Sequence, residues 1–360
     1  MLRVVQYILR VWVSALTRIK LQGRDFVRIG YDVDLPLVGS IAFGVIDRGT
    51  NLIQVRPNSY CVLNCIFCST DAGPNSTWRK TEYYVSLDLM IDWVKIIAKF
   101  KGKGVEAHID TVGDPLLYDR LPDLVHELKS IPEVSVVSLQ THGLTLTYKL
   151  ADRLAAAGLD RVNLSIDTLD LEKAKYLQGV NYYNVRRVMD VTEYIVRSTS
   201  IDVLLAPLLL PGINDNDIPK IIEWGLRVGV GKKYPPFGIQ IYLRHKHGRK
   251  PKNIRRMSWR EFYELLRRWE RRFNVKLVLS VSDFGIVKRD MIPIAYRIGE
   301  KVRVKIVAPG WLKREWIAVP LRGPERVITV IMDDESNYLE TRLSVRIINN
   351  KHNIYLARPS

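Results

Sequence analysis

Cysteine is scarce in this chain: 360 residues contain three, and all three fall within Cys61-Val62-Leu63-Asn64-Cys65-Ile66-Phe67-Cys68. An odd number on one short stretch excludes the spread, even-numbered set of a disulfide framework. Long apolar runs are missing as well. No stretch of about 18 or more uncharged apolar residues occurs, so no membrane-spanning helix is indicated. Over Met1–Lys20, Leu2, Val5, Ile8, Leu9, Trp12 and Leu16 fall near helical spacing. Arg10 interrupts them and no small-residue cleavage site follows, which argues against a signal peptide. An amphipathic helix packed on the main domain is expected there, with a membrane-surface helix as the alternative. A cytoplasmic location is the corresponding expectation. Negative charge is in deficit: 38 Asp and Glu stand against 55 Lys and Arg, a net charge of +17. That excess favours a polyanionic partner, most simply nucleic acid, over a surface charged only for solubility or heat tolerance.

The positive charge is concentrated. Between Arg244 and Arg272 there are twelve Lys or Arg and three Glu, interleaved with His245, His247, Trp259, Tyr263 and Trp269. Part of this stretch reads as a helix, Trp259 to Phe273, with Phe262, Leu265, Leu266 and Trp269 inward. Its basic face suits a phosphate backbone and equally suits plain solvation.

A Gly-punctuated, strand-like stretch runs from Val27 to Ile53. Beyond it, short β-branched runs alternate with helical ones. Strands are expected at Leu52–Arg56, Val105–Asp110, Val134–Gln140, Arg161–Ile166, Ile201–Ala206 and Ile239–Leu243. Helices are expected near Leu87–Phe100, Leu121–Lys129, Tyr148–Ala157, Leu171–Leu177, Val185–Val196, Ile218–Val228 and Trp259–Phe273. Such alternation implies right-handed βαβ units and a parallel sheet. Six units make a partial (β/α)6 barrel, an α/β fold whose ligands lie at the C-terminal strand ends. The cysteines follow the first of these strands. From Ile298 the period changes to closely spaced strands over roughly sixty residues, the pattern of a small all-β barrel. The expected organisation is therefore an N-terminal helix and β extension over 1–50, the partial barrel over 51–297 and the small barrel over 298–360.

Three thiolates on one loop suit a metal or cluster. A [4Fe–4S] cluster normally takes four thiolates, so three leave one iron open. The spacing, with Phe67 before the last Cys, resembles that of the radical S-adenosylmethionine (SAM) superfamily. Four later stretches resemble that family's motifs in order: Thr111-Val112-Gly113-Asp114-Pro115, Gln140-Thr141-His142-Gly143, Asn163-Leu164-Ser165-Ile166-Asp167, and Ala206 to Asp215. Two positions of the first depart from the family's Gly-Gly-Glu-Pro: Val112 replaces a Gly and Asp114 a Glu. His142 stands where the family has Asn. More of the chain, including Glu106 to Asp110 and Gly231 to Pro236, is similar to an archaeal radical SAM family with a C-terminal TRAM-like domain, an OB-like module. Gly299-Glu300-Lys301-Val302-Arg303-Val304 opens that module.

The resemblance implies the following. Cys61, Cys65 and Cys68 bind three irons of a [4Fe–4S] cluster. The open iron chelates SAM, and an external one-electron reductant starts its cleavage to a 5′-deoxyadenosyl radical. Phe67 lies against the adenine, Gly113 and Asp114 hold the amino group, Ser165 meets the carboxylate and ribose with Asp167 in support, and Pro211 and Gly212 offer backbone to the adenine edge. Glu106, His108 and Asp110 alternate along one strand. Together with His142 they are candidates for substrate contact or proton relay, with a buried polar network or turn as the competing reading. The expected function is modification of RNA, tRNA foremost, at an unactivated carbon. One target is a modified adenosine side chain near the anticodon. No cysteine remains for a second cluster or a cysteine methyl carrier. The rivals are a radical SAM enzyme for a small molecule or protein, and an RNA-binding module with a structural cluster.

Overall fold

The computed structural model describes residues 19–21, 23–33 and 35–360. The helix expected over Met1–Lys20 lies outside these residues, save its last two positions, which fall in a strand. The chain begins with strands β1 (Ile19–Leu21), β2 (Arg24–Ile29), β3 (Gly44–Asp47), β4 (Leu52–Arg56) and β5 (Thr81–Val85). Helix α1 (Leu87–Lys101), β6 (Val105–Ile109), α2 (Leu121–Lys129), β7 (Val134–Thr141), α3 (Tyr148–Ala156) and β8 (Arg161–Leu164) follow. Next come α4 (Leu171–Gln178), α5 (Val185–Ser198), β9 (Asp202–Leu205), β10 (Leu208–Leu209), α6 (Asp217–Val228), β11 (Gln240–Ile241) and α7 (Trp259–Phe273). Five strands close the chain: β12 (Lys301–Pro309), β13 (Glu315–Pro320), β14 (Ile328–Ile331), β15 (Arg342–Asn349) and β16 (Leu356–Pro359).

Strands β4, β6, β7, β8 and β9 pair in parallel in that order, with β3 antiparallel on the outer edge. Every residue of β6 and β9 is buried, as expected of a parallel sheet covered on both faces. Helix α5 turns Val185, Val188, Val191, Ile195 and Val196 inward at spacings of three and four, the stripe a sheet-covering helix needs. Side chains mark where helices begin: Thr147 accepts from Leu150 N, Asp170 from Lys173 N and Asn184 from Arg187 N. Ser258 and Glu261 form a capping box at α7, satisfying amides that a helix start leaves free.

The sixth strand is shorter than expected. In place of Ile239–Leu243, only Gln240–Ile241 forms a strand, paired in parallel with Leu208–Leu209. A single bridge, Leu205 with Phe237, joins it to β9. Pro207 lies between β9 and β10 and has no N–H to continue the ladder. Strand β5 had no signal in the sequence pattern. It pairs in parallel with β2, more than fifty residues earlier, in a separate three-stranded sheet.

The last five strands form a closed barrel of order β12-β13-β14-β16-β15, antiparallel except between β14 and β16. It is a small all-β domain with its own core, in which Val304, Ile306, Ile328, Val330, Val345 and Tyr355 are fully buried. It is joined to the main body: Tyr83 donates to Pro309 O (2.8 Å) and Val327 N to Val38 O (2.9 Å). Val307, Ala308, Ile317 and Val327 belong to the main hydrophobic core. Among the described residues no helix is long and apolar enough to cross a membrane.

Candidate active site

The cysteine loop leaves the C-terminal end of β4 and is pinned by backbone. Asn64 N and Ile66 N donate to Gln178 O and Leu177 O (2.9 and 3.0 Å), the carbonyls at the end of α4 that a helix leaves without partners. Leu63 N points at Cys61 Sγ (3.4 Å) and Ala72 N at Cys68 Sγ (3.2 Å). Cys61 and Cys65 are buried and Cys68 is half-buried. Burial first, then the neighbouring Cys68 and Cys61, push the Cys65 thiol well up. Burial and Asp114 raise Cys61. Bare thiolates at Cys61 and Cys65 are therefore disfavoured unless positive charge joins them.

The thiols line a cavity of about 380 Å³ at the C-terminal ends of the parallel strands. Across it stand Phe67, Asp110, Gly113, Asp114, His142, Ser165 and Asp167. A Cβ on Gly113 would overlap the carbonyl oxygens of Ser59 and Tyr60. Glycine is needed here so that this loop can lie directly on the chain entering the cysteine loop. Asp114 is buried and its carboxylate accepts from Thr141 Oγ1 (2.8 and 3.0 Å) and Leu116 N (3.0 Å). Burial raises its pKa, with His142 and these hydrogen bonds acting against the rise. Its two oxygens keep acceptor capacity toward the cavity.

His142 lies 6.3 Å from Phe67 between ring centroids, with Nδ1 3.1 Å from Ser165 O. Asp167 accepts from Leu208 N (2.8 Å) and Gln178 Nε2 (2.9 Å), and burial raises it too. Gln178 reaches Cys65 Sγ with its other amide atom (2.7 Å), so Asp167 connects to the cysteine loop through one side chain.

Other expected site residues stand elsewhere. Glu106 accepts from Ser138 Oγ (2.6 Å) and Arg161 Nη2 (2.5 Å), and His108 Nδ1 lies 2.7 Å from that same Ser138 Oγ. Arg161 stacks 4.4 Å from the Tyr234 ring centroid and 5.3 Å from that of Phe284. Glu106 and Arg161 stand where β6 and β8 begin, at the floor of the barrel, with His108 and Ser138 further along their strands. Burial lowers the pKa of His108, keeping its imidazole neutral. Asp110 does line the cavity, and it is held by Arg56 (3.0 Å) and Gln54 (2.6 Å). The alternation of Glu106, His108 and Asp110 therefore splits between floor and mouth. Pro211 and Gly212 do not line the cavity; Gly212 N donates to Asp215 Oδ2 (2.5 Å).

The residues present fit a cluster. Three thiols meet one roomy cavity, and two of them receive backbone N–H groups. Among the described residues no three His, Cys, Asp or Glu side chains close around a single metal ion, whereas a cluster takes each thiolate on a different iron. Sequence reasoning missed Gln178 and Arg79. Arg79 donates to Ser59 O (2.6 Å), Thr70 O (3.0 Å) and Val112 O, bracing the cysteine loop against the Gly113 loop. Neither carried a spacing signal, because each acts across a long chain separation.

Comparison with known proteins places this geometry. The profile of the Radical SAM superfamily matches residues 55–225. A Methanocaldococcus jannaschii protein, Uncharacterized protein MJ0103, is 42% identical over 343 residues, 90% of this chain and 78% of its own length. GTP 3′,8-cyclase of Chlorobaculum tepidum is 34% identical over 176 residues, 49% of this chain and 50% of the cyclase. The chain thus spans about half the length of that cyclase. The solved structure of TYW1 with a lysine-pyruvate adduct bound is 18% identical with a TM-score of 0.46, over 67% of this chain and 80% of that one. A likeness at that level carries no argument here.

Proposed function

The chain belongs to the radical SAM superfamily, whose members use a [4Fe–4S] cluster and S-adenosylmethionine, and from that premise we propose that it modifies RNA, tRNA foremost, at an unactivated carbon. Cys61, Cys65 and Cys68 would each hold one iron. Cluster and SAM, once an external donor has supplied an electron, provide hydrogen-atom abstraction. The chain's own residues bind and orient. Asp114 accepts the ammonium of SAM with the oxygen capacity that Thr141 and Leu116 N leave free. Ser165 meets its carboxylate and ribose side. Phe67 lies against its adenine. Pro211 and Gly212, which do not line the cavity, have no part in holding that ligand. Asp167 positions Gln178 and so the Cys65 loop. His142 and Asp110, at the mouth, are the groups for substrate. Glu106 and His108 belong to the buried network around Ser138 and Arg161.

One observation carries the RNA part. On the barrel, Lys301, Arg346 and Arg358 lie directly opposite one another across β12, β15 and β16, and all three are exposed. Like charges facing each other across strands destabilise a sheet; Asp333 answers Arg358 (3.6 Å) and Gly299 O accepts from Arg346 (2.9 Å), which still leaves the ladder with an excess of positive charge. A phosphate backbone would relieve it. Arg303 is also exposed on β12, with Lys305 beyond it paired to Glu340 (2.5 Å). We read the barrel as a TRAM-like nucleic-acid module on this basis. A groove beside α7 lined by Arg255, Arg267, Arg268, Arg271 and Arg272, with Asp215, Glu261 and Glu264 among them, keeps a net positive charge and extends the basic surface. Trp78, 44% exposed and edge-on to His247 at 4.7 Å, supplies a surface on which a base can stack.

The test is tRNA binding across a salt series, followed by release of 5′-deoxyadenosine with and without tRNA. The reading expects a steep salt slope and faster release with tRNA. Salt-independent or absent binding overturns it. The second reading, a small nucleotide substrate, is favoured by the match to the GTP cyclases over half of this chain. It predicts that GTP, and not tRNA, stimulates SAM cleavage.

A further inference from the structure

The basic segment after β11 is not all surface. One of its cations, Arg249, turns inward onto the cysteine loop. Its side chain donates from Nη1 to Cys65 O (3.0 Å), from Nη2 to Ala72 O (2.6 Å) and from Nε to Asp71 Oδ1 (2.9 Å). Its backbone N–H donates to Cys68 O (2.8 Å), and its carbonyl accepts from the hydroxyl of Tyr242 (2.9 Å), a residue of the cavity wall. The preceding residue, Gly248, lies so close to the loop that a Cβ would stand 3.0 Å from Ser69 Cα and 3.1 Å from Cys68 O. The other Asp71 oxygen accepts from Thr77 N (2.7 Å) and Trp78 N (3.0 Å). Asp71 itself has φ 50°, a conformation a non-glycine residue holds only where its surroundings fix it.

These contacts bracket Cys68. Carbonyls on either side of it, at Cys65 and Ala72, bind one planar guanidinium fork, which a lysine ammonium could not reproduce. The neighbours Lys246 and Lys250 are exposed. The same short segment therefore presents lysines to solvent on one side and packs on the cysteine loop on the other.

We propose that Arg249 is a positioning residue that locks the cysteine loop, sets a fixed positive charge beside the cluster and ties the order of that loop to the basic segment. The inference rests on the assignment of the cluster to Cys61, Cys65 and Cys68. Arg249 balances the buried Asp71 carboxylate beside the loop, and so favours the more negative, reduced state of a nearby cluster relative to the same loop with Asp71 unpaired. Its loss makes reduction harder, and loss of the fork loosens the loop.

The test compares wild type, Arg249→Gln, Arg249→Lys and, as a control on the solvent side, Arg186→Gln, an exposed position on α5. Each is reconstituted anaerobically with iron and sulfide. The readouts are iron content, rate of iron loss to a chelator and the cluster's midpoint potential followed by EPR. Arg249→Gln should shift the midpoint to more negative values and lose iron roughly tenfold faster. Arg249→Lys should keep the wild-type midpoint and lose iron at an intermediate rate. Arg186→Gln should match wild type. A wild-type midpoint and rate in Arg249→Gln overturns the inference. Should that variant take up no iron, Arg249→Lys decides: a wild-type rate of loss overturns it. If wild type itself takes up no iron, the cluster assignment has failed instead. The link to the basic segment is read by trypsin cleavage after Lys246. Cleavage should be slower in cluster-loaded than in cluster-free wild type, with that difference gone in Arg249→Gln. Equal cleavage of both wild-type forms overturns the link.

Discussion

The wall around the cysteines and the outer face of the small barrel treat charge in opposite ways. At the cysteine loop nearly every polar group has an internal partner: Arg79 and Arg249 are spent on backbone carbonyls and buried carboxylates. On the barrel, Lys301, Arg346 and Arg358 face one another in line, where anions would steady the sheet. The first arrangement holds a geometry, because satisfied buried networks specify one conformation. The second presents a field, which acts at a distance and yields to salt. Damage should accordingly be all-or-none in the first region and graded in the second.

The largest effect should come from Cys61, Cys65 or Cys68. Replacing any one with Ala should abolish or degrade the iron–sulfur chromophore, where anaerobically reconstituted wild type binds about four irons. Iron analysis with visible absorption checks this; a single zinc and a colourless protein would break the comparison at its root. Next in size is Asp114→Ala. Losing a charge-assisted hydrogen bond of about 1.5–3 kcal/mol should weaken SAM roughly ten- to hundredfold. Titration calorimetry measures it, and the cluster spectrum should be unchanged. Unaltered SAM affinity would reduce Gly113-Asp114-Pro115 to a turn.

The barrel should respond by increments. Lys301→Ala, Arg346→Ala and Arg358→Ala together should lower the salt slope of tRNA binding by about 2–3, near one unit per lost phosphate contact. Salt-dependent filter binding reads this, with an unchanged slope counting against the barrel as an RNA module. Surface substitution is a cleaner cut than removing the barrel, whose Val307, Ala308, Ile317 and Val327 sit in the main core.

The smallest effect concerns pH. Burial pushes Glu315 on β13 up to about 7, against the hydrogen bond from Leu312 N. A carboxyl raised in the folded state binds its proton there more tightly than when unfolded. Stability is therefore greatest below the ordinary carboxylate range and falls as pH rises toward about 7. The loss is roughly 2 kcal/mol after allowance for partial exposure. Glu315→Gln should flatten that part of the melting-temperature profile. An equally steep profile in the variant would assign the dependence to other groups.

Much of the fold was legible because the signals were local. Strands and helices of the βα units stand where β-branched alternation and helical spacing put them, and the capping residues are side chains a reader can see. What was not legible depended on distance along the chain. Strand β5 owes its existence to β2, and β11 is cut short by a proline on its partner side. The cysteines, Gly113, Asp114 and Ser165 announce themselves by order and spacing. Gln178 and Arg249 do not, since a single residue reaching across more than a hundred positions leaves no pattern. Arg249 was even camouflaged, one cation among the twelve between Arg244 and Arg272.

The stack of Arg161 on Tyr234 and Phe284, bound to Glu106, has a bearing on kinetics. A chamber sealed at the bottom has one doorway, so its occupants must queue. Whatever rests against the cysteine loop enters first and departs last, and a bulky second guest standing in the doorway detains the first. If SAM rests against the cysteines, the expected kinetic pattern is SAM first and substrate second, with inhibition by excess substrate.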